Sequence, residues 1–140
     1  VSSPAQAVGC YGDWCSGQDP EATGCAADAK PVKSVPLEVW RVPAGADQAQ
    51  GYWHKVGTLE LRWSPTCRTN WTRASMTAST NMQYIGVVQD TDYTQERSTS
   101  GYWDGSAAGI YYTAMIYSPV NSCRAWVYGG GFRTTSTDWR

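Results

Sequence analysis

The chain has 140 residues, enough for one domain with a core of its own. Its formal charge is -1, with 11 basic and 12 acidic residues spread along the sequence, so no cationic stripe exists to neutralise phosphates or anionic lipid, and nucleic acid and membrane are excluded as expected partners. Five cysteines beside 8 Trp, 9 Tyr and a single Phe point to a secreted, extracellular protein with oxidised thiols, and no apolar run approaches the ~20 residues of a membrane-spanning helix.

The opening stretch VSSPAQA (1–7) is made of the small residues usual around a signal-cleavage region, and the expectation is that any signal peptide has already been removed. These residues lack both the charge of a solubilising tail and the bulk of a core segment. A small-residue extended segment can enter a cleft or add to a sheet edge. Residues 1–9 therefore read as a flexible arm and 10–140 as a single domain, with Val1, Pro4, Val8, Tyr11 and Trp14 as the partner-binding positions.

From Cys10 to Cys25 the sequence CYGDWCSGQDPEATGC forms a dense knot of cysteines and turn residues. Cys10, Cys15, Cys25, Cys67 and Cys123 are the disulfide candidates; two bridges and one free thiol are expected, with at least one bridge from the knot to Cys67 or Cys123, because closing a long loop removes more unfolded-state entropy. Four carboxylates, Asp13, Asp19, Glu21 and Asp28, raise the question of calcium. Their spacing does not reproduce an EF-hand loop, so they read as solvated acids on a disulfide-tied loop, with no metal and no cofactor. Asp19-Pro20-Glu21 has the form of a capped turn start, stopped at Thr23-Gly24. Cys10 and Cys15 are separated by four residues rather than the two of a redox motif.

Short strand signals follow: VPLEVWRV (35–42), GTLELRWS (57–64), NWTRASM (70–76), MQYIGVVQ (82–89), GIYYTAMIYS (109–118) and CRAWVYGG (123–130). Each has β-branched or aromatic residues, often alternating with polar ones. Turn chemistry separates them at 43–51, 64–66, 118–122 and 129–131, and no segment keeps a helical apolar period. The expectation is an all-β fold, a small disulfide-stabilised antiparallel β-barrel or sandwich with an irregular cysteine-rich N-terminal segment. A local echo links LRWSPTCRTNWTR (61–73) to MIYSPVNSCRAWVY (115–128), both read as hairpins with a cysteine on the outgoing strand.

The segments CSGQDPEATGCAADA (15–29), LELRWSPTCRTNWTRA (59–74) and YTAMIYSPVNSCRAW (112–126) resemble the secreted YjfA-like family of bacterial domains of unknown function. The resemblance spans residues 10 to 130. It implies export, an all-β domain, cysteines in the same three places, and an origin among filamentous and spore-forming Gram-positive bacteria. It also implies an association with small exported components of competition systems. It carries over no catalytic residue.

Catalytic constellations are thin. His54, the one histidine, sits among aromatics in GYWHKVG and reads as a surface residue. A Cys-His protease would need a reduced cysteine beside it, and acid pairs such as Asp90 with Asp92 or Glu60 with Glu38 arise in any chain with 12 acids. The sequon Asn70-Trp71-Thr72 reads as strand. The aromatic balance says more, since Tyr and Trp join an apolar face to a polar tip and suit interfaces and sugar stacking. Trp40, Trp63, Trp71 and Trp126 are assigned to the interior. Tyr11, Trp14, Tyr52, Trp53, Tyr93, Tyr102, Trp103 and Trp139, in turn-like segments, are assigned to a recognition surface. Within it, Tyr52-Trp53 and Tyr102-Trp103, each in a Gly-Tyr-Trp context, are the glycan-binding candidates. The reading is a secreted non-catalytic interaction module, a protein-binding adaptor or subunit of an extracellular competition or toxin-type assembly whose partner is another secreted protein. The alternatives are a cell-wall glycan-binding domain and a small secreted hydrolase.

Overall fold

The computed structural model describes residues 8–90, 95–98 and 107–140. Eight strands are present among them: β1 Lys30–Arg41, β2 Tyr52–Ser64, β3 Thr69–Met76, β4 Met82–Gln89, β5 Gln95–Ser98, β6 Gly109–Tyr112, β7 Ile116–Tyr117 and β8 Cys123–Gly129. They form two antiparallel sheets. The first runs β1-β2-β3-β6, with β7 also paired to β3; the second runs β5-β4-β8.

Alternation builds the interface between them. In β2, Leu59 and Leu61 are fully buried, whereas Glu60 and Arg62, which alternate with them, point to the other face. Their cross-strand partners in β3 are Ala74 and Thr72. In the second sheet Ile85 pairs with Val127 and Val87 with Ala125, and all four are buried. These two inward faces, with Leu37, Met76, Met82, Ile116 and Phe132, make one apolar core. The all-β, disulfide-stabilised class is thus observed. The described sheets pack face to face as a sandwich and are not closed into a barrel, β1 and β5 remaining at their edges. Pro31 and Pro36 lie in β1, the edge position that tolerates residues unable to donate to a ladder.

β3 departs from simple alternation, because Thr69, Asn70, Trp71 and Thr72 are all buried. Its inner face meets the second sheet, where Thr72 Oγ1 donates to the Gly86 carbonyl. Its outer face lies under the N-terminal knot. Asn70 is satisfied inside, its Nδ2 donating to the Arg62 carbonyl at 2.9 Å and its Oδ1 accepting from Ser118 Oγ at 2.6 Å.

Three expectations are corrected. Of the four tryptophans assigned to the interior only Trp71 is buried, at 2% exposure; Trp40 is 41% exposed, and Trp63 and Trp126 are half-buried. Alternation identifies a face of a strand but not whether another layer covers it. Second, 61–73 is a hairpin, but 115–128 is not: β7 pairs with β3 and β8 with β4, so the second Ser-Pro segment crosses from one sheet to the other. Third, the 109–118 signal divides into β6 and β7.

Candidate functional site

The knot folds through two single 3-10 turns, Gly12–Cys15 and Cys25–Asp28. Cys10 bonds to Cys15 and Cys25 to Cys67, leaving Cys123 as a buried free thiol. The expected bridge from knot to hairpin is the one at Cys67. The two disulfides touch, with Cys10 Sγ 3.7 Å from Cys25 Sγ, and pack with Met115 over Trp71. Asp19 caps its turn, Oδ1 accepting from the amides of Glu21 at 2.7 Å and Ala22 at 3.2 Å. Asp28 clamps the knot to the β2–β3 turn, accepting from Ser64 Oγ at 2.6 Å, Thr66 N at 2.9 Å and Thr66 Oγ1 at 2.6 Å. Burial alone would raise its pKa, but the hydrogen bonds from Ser64 and Thr66 prevail and hold it below the ordinary carboxylate value.

The arm meets the knot at its base. Val8 packs against the cysteine cluster and the Gly9 amide donates to the Thr23 carbonyl at 2.7 Å, so residues 8 and 9 belong to the folded body. Val1 and Pro4 lie outside the described residues. Tyr11 and Trp14 are 77% and 59% exposed and stack edge to face at 5.7 Å.

Beside the knot, on the outer face of the first sheet, Glu21, Ala26, Arg62, Trp71, Arg73, Ile110 and Tyr112 line a cleft of about 140 Å³. Its two arginines share one carboxylate, Glu60. Glu60 Oε1 accepts from Arg73 Nε at 2.9 Å and Arg62 Nη1 at 3.4 Å, and Arg62 Nη2 donates to the Ala29 carbonyl at 3.2 Å. Burial and then the nearby Arg73 lower the Arg62 pKa, with Glu60 opposing. Burial, with Asp19 and Glu21, raises that of Tyr112.

The outer face of the second sheet is built differently. Tyr84, Trp126, Val127 and Tyr128 line a shallow groove of about 260 Å³. Gly86 is the direct cross-strand partner of Trp126, and a Cβ at 86 would collide with Cζ2 and Cε2 of the indole. The missing side chain lets the ring lie down across the sheet. Tyr84 and Tyr128, the next pair along, place their rings 6.2 Å apart at 40°. Tyr128 is 60% exposed. Arg124, one pair further, stacks on Trp139 at 4.5 Å. Sequence reasoning assigned Trp126 to the core and passed over Tyr84 and Tyr128. The available signal was a lone glycine inside a strand pattern, which marks close approach.

Of the expected glycan site, Tyr52 and Trp53 are exposed at the far end of the β1–β2 hairpin. They do not form a plane: Trp53 meets Trp40 edge-on at 5.3 Å and carries Arg133 at 5.4 Å, and Tyr52 meets His54 edge-on at 6.1 Å. Tyr102, Trp103 and Tyr93 lie outside the described residues. The residues considered for chemistry have other work. His54 is exposed against Tyr52, Glu38 faces Arg133 at 3.9 Å, and burial pushes the Cys123 thiol up to about 11, which keeps it protonated near neutrality.

An antiparallel two-sheet domain, with a disulfide knot over one sheet and an aromatic groove on the other, defines the class. The chain belongs to the family described as "Protein of unknown function (DUF2690)", whose match covers residues 13–125. No curated protein and no solved structure significantly matches it.

Proposed function

We propose that the protein is an exported, YjfA-like, non-catalytic binding module, and that its ligand is cell-wall glycan bound on the second sheet. The observation that carries this reading is the indole of Trp126 laid across Gly86 beside the Tyr84–Tyr128 pair. A sugar ring has an apolar face of C–H groups and an equatorial rim of hydroxyls. A rigid aromatic floor takes the first, and the phenol tips reach the second. Strand-borne rings lose little conformational freedom on binding. The buried disulfides support an oxidising, extracellular setting.

Sedimentation with insoluble cell-wall polysaccharide and calorimetry with soluble wall oligosaccharides test this. Wild-type protein is expected to bind and Trp126→Ala to lose at least tenfold in affinity with its fold intact. Absence of binding, or equal binding by the variant, overturns it.

A second reading, a protein-binding adaptor in an extracellular competition assembly, is favoured by the exposed Tyr11–Trp14 pair at the base of the arm. Deleting residues 1–7 with Tyr11→Ala and Trp14→Ala is expected to abolish capture of a secreted partner from culture fluid. Undiminished capture rejects it.

A further inference from the structure

Four sulfur atoms in the knot sit closer together than two independent staples require. Sγ of Cys10, Cys15, Cys25 and Cys67 all lie within 4.8 Å of one another, and all four residues are buried. A tetrahedral zinc tetrathiolate has Zn–S bonds of about 2.3 Å, hence S···S edges of about 3.8 Å. The contact between the two disulfides, Cys10 Sγ to Cys25 Sγ at 3.7 Å, already has that length. Cys10 and Cys15 also stand at the pair spacing common in structural zinc sites, with four residues between them.

We propose that these four cysteines form a second, reduced state of the knot that binds one soft divalent cation, zinc being the natural choice, as a closed tetrathiolate site. Opening each disulfide takes two electrons and two protons. A phosphine supplies the electrons, ending as its oxide with an oxygen taken from water, and a dithiol supplies both, ending as its cyclic disulfide. Four thiols result. The metal then displaces their four protons and forms four metal–sulfur bonds, with no further redox change.

The positions of the cysteines are held by bonds that reduction leaves intact. Gly9 N donates to the Thr23 carbonyl and Ala26 N to the Pro20 carbonyl, which fix the flanks of Cys10 and Cys25. Cys67 N donates to Ser64 Oγ, itself bound to Asp28. Gly17 and Met115 tie the loop after Cys15 to the first sheet through Gly17 N to the Met115 carbonyl at 2.8 Å and Met115 N to the Gln18 carbonyl at 2.9 Å. Val8, Ala26, Ala29, Trp71, Met115 and Tyr112 surround the sulfurs and keep water from competing as a ligand. The tetrathiolate carries net negative charge, and Arg62 and Arg73 stand beside Trp71 on the same face. The knot can thus be closed by oxidation outside a cell or by metal where thiols are kept reduced, and the same fold persists in both compartments. This inference is independent of the glycan reading.

The experiment uses the full chain with Cys123→Ser, which removes the one thiol outside the cluster. Anaerobic reduction by a phosphine is followed by titration with cobalt(II), then zinc. One cobalt per chain is expected, with the intense visible bands and sulfur-to-metal charge transfer of tetrahedral tetrathiolate cobalt, bleached by zinc, and with release of about four protons. Cys10→Ser and Cys25→Ser are each expected to shift and weaken those bands. If reduction alone loosens the knot, metal is expected to restore the near-ultraviolet circular dichroism of buried Trp71. Failure to bind stoichiometrically, a spectrum of oxygen or nitrogen ligation, unchanged spectra in the serine variants, or, where reduction has loosened the knot, metal that restores no tertiary signal each overturns the proposal.

Discussion

Trp71 and Trp126 occupy comparable places in the two sheets. Each follows a Cys-Arg pair and each points away from the shared core, Trp71 opposite Arg62 and Trp126 opposite Gly86. Trp71 is 2% exposed because the knot and its disulfides lie on it. Trp126 is half-buried, resting on Gly86 and lining an open groove. One tryptophan is a wall between two layers and the other is the outer surface of a layer. What a residue does on a strand depends on how many layers lie above it, and that is decided by segments far away in sequence.

This contrast sets the largest effect to be looked for. Trp71→Ala removes a buried indole from between the sheet and the knot and is expected to cost roughly 3–5 kcal/mol, read as a lower urea midpoint. Trp126→Ala is expected to cost about 1 kcal/mol or less while removing the proposed glycan floor. Equal stability losses for the two would end the distinction between a structural and a recognition tryptophan. Next in size is the cover itself. Replacing Cys25 and Cys67 together by alanine opens the bridge of sequence separation 42, while replacing Cys10 and Cys15 opens one of separation 5. Loop-closure entropy puts the first at roughly 4 kcal/mol and the second at about 2. A larger loss from the shorter bridge would mean that native packing of the sulfurs, not chain entropy, governs the knot.

On the open face the test is smaller and more local. Gly86→Ala places a methyl where the indole lies and is expected to cost about 1–3 kcal/mol through overpacking. The indole must lift to relieve it, so glycan affinity should fall with the β-sheet spectrum retained. Unchanged affinity in a folded Gly86→Ala protein would show that the flat pose of Trp126 is not what binds.

The same contrast explains what could be read in advance. The alternation of Leu59, Glu60, Leu61 and Arg62 and the run Ile85–Val87 specify strands and inward faces directly, since the period of two is local. The presence of a long bridge from the knot was legible because long loops reward closure. The partner of the second Ser-Pro segment was not, because whether Cys123 returns to its own neighbour or crosses to β4 depends on non-local pairing. Nor could alternation reveal that Trp40 stays 41% exposed, or that Tyr84, Trp126 and Tyr128 line one groove beside a glycine. Convergence across strands needs the register of β4 against β8.

The smallest predicted effect concerns the clamp that fastens the covering layer. Asp28 receives three hydrogen bonds from Ser64 and Thr66 in the β2–β3 turn, and its pKa is held below the ordinary value, the bonds outweighing the opposing effect of burial. A carboxyl whose folded-state pKa is depressed binds its proton more weakly in the native state than in the unfolded chain. Its contribution is therefore complete above the unfolded pKa and disappears as pH falls through the folded one. Asp28→Asn keeps the size and loses the charge. It is expected to cost about 1 kcal/mol near neutrality, at the low end for charge-assisted bonds because the residue is largely solvent-exposed. The difference in melting temperature between wild type and variant should then narrow steadily on acidification and vanish once the wild-type carboxyl is protonated. Open-face variants such as Trp126→Ala, whose effect involves no titrating group, should keep a constant offset over the same range. A difference for Asp28→Asn that stays constant or widens in acid would show that the clamp acts through the shape of the turn, not through the charge on Asp28.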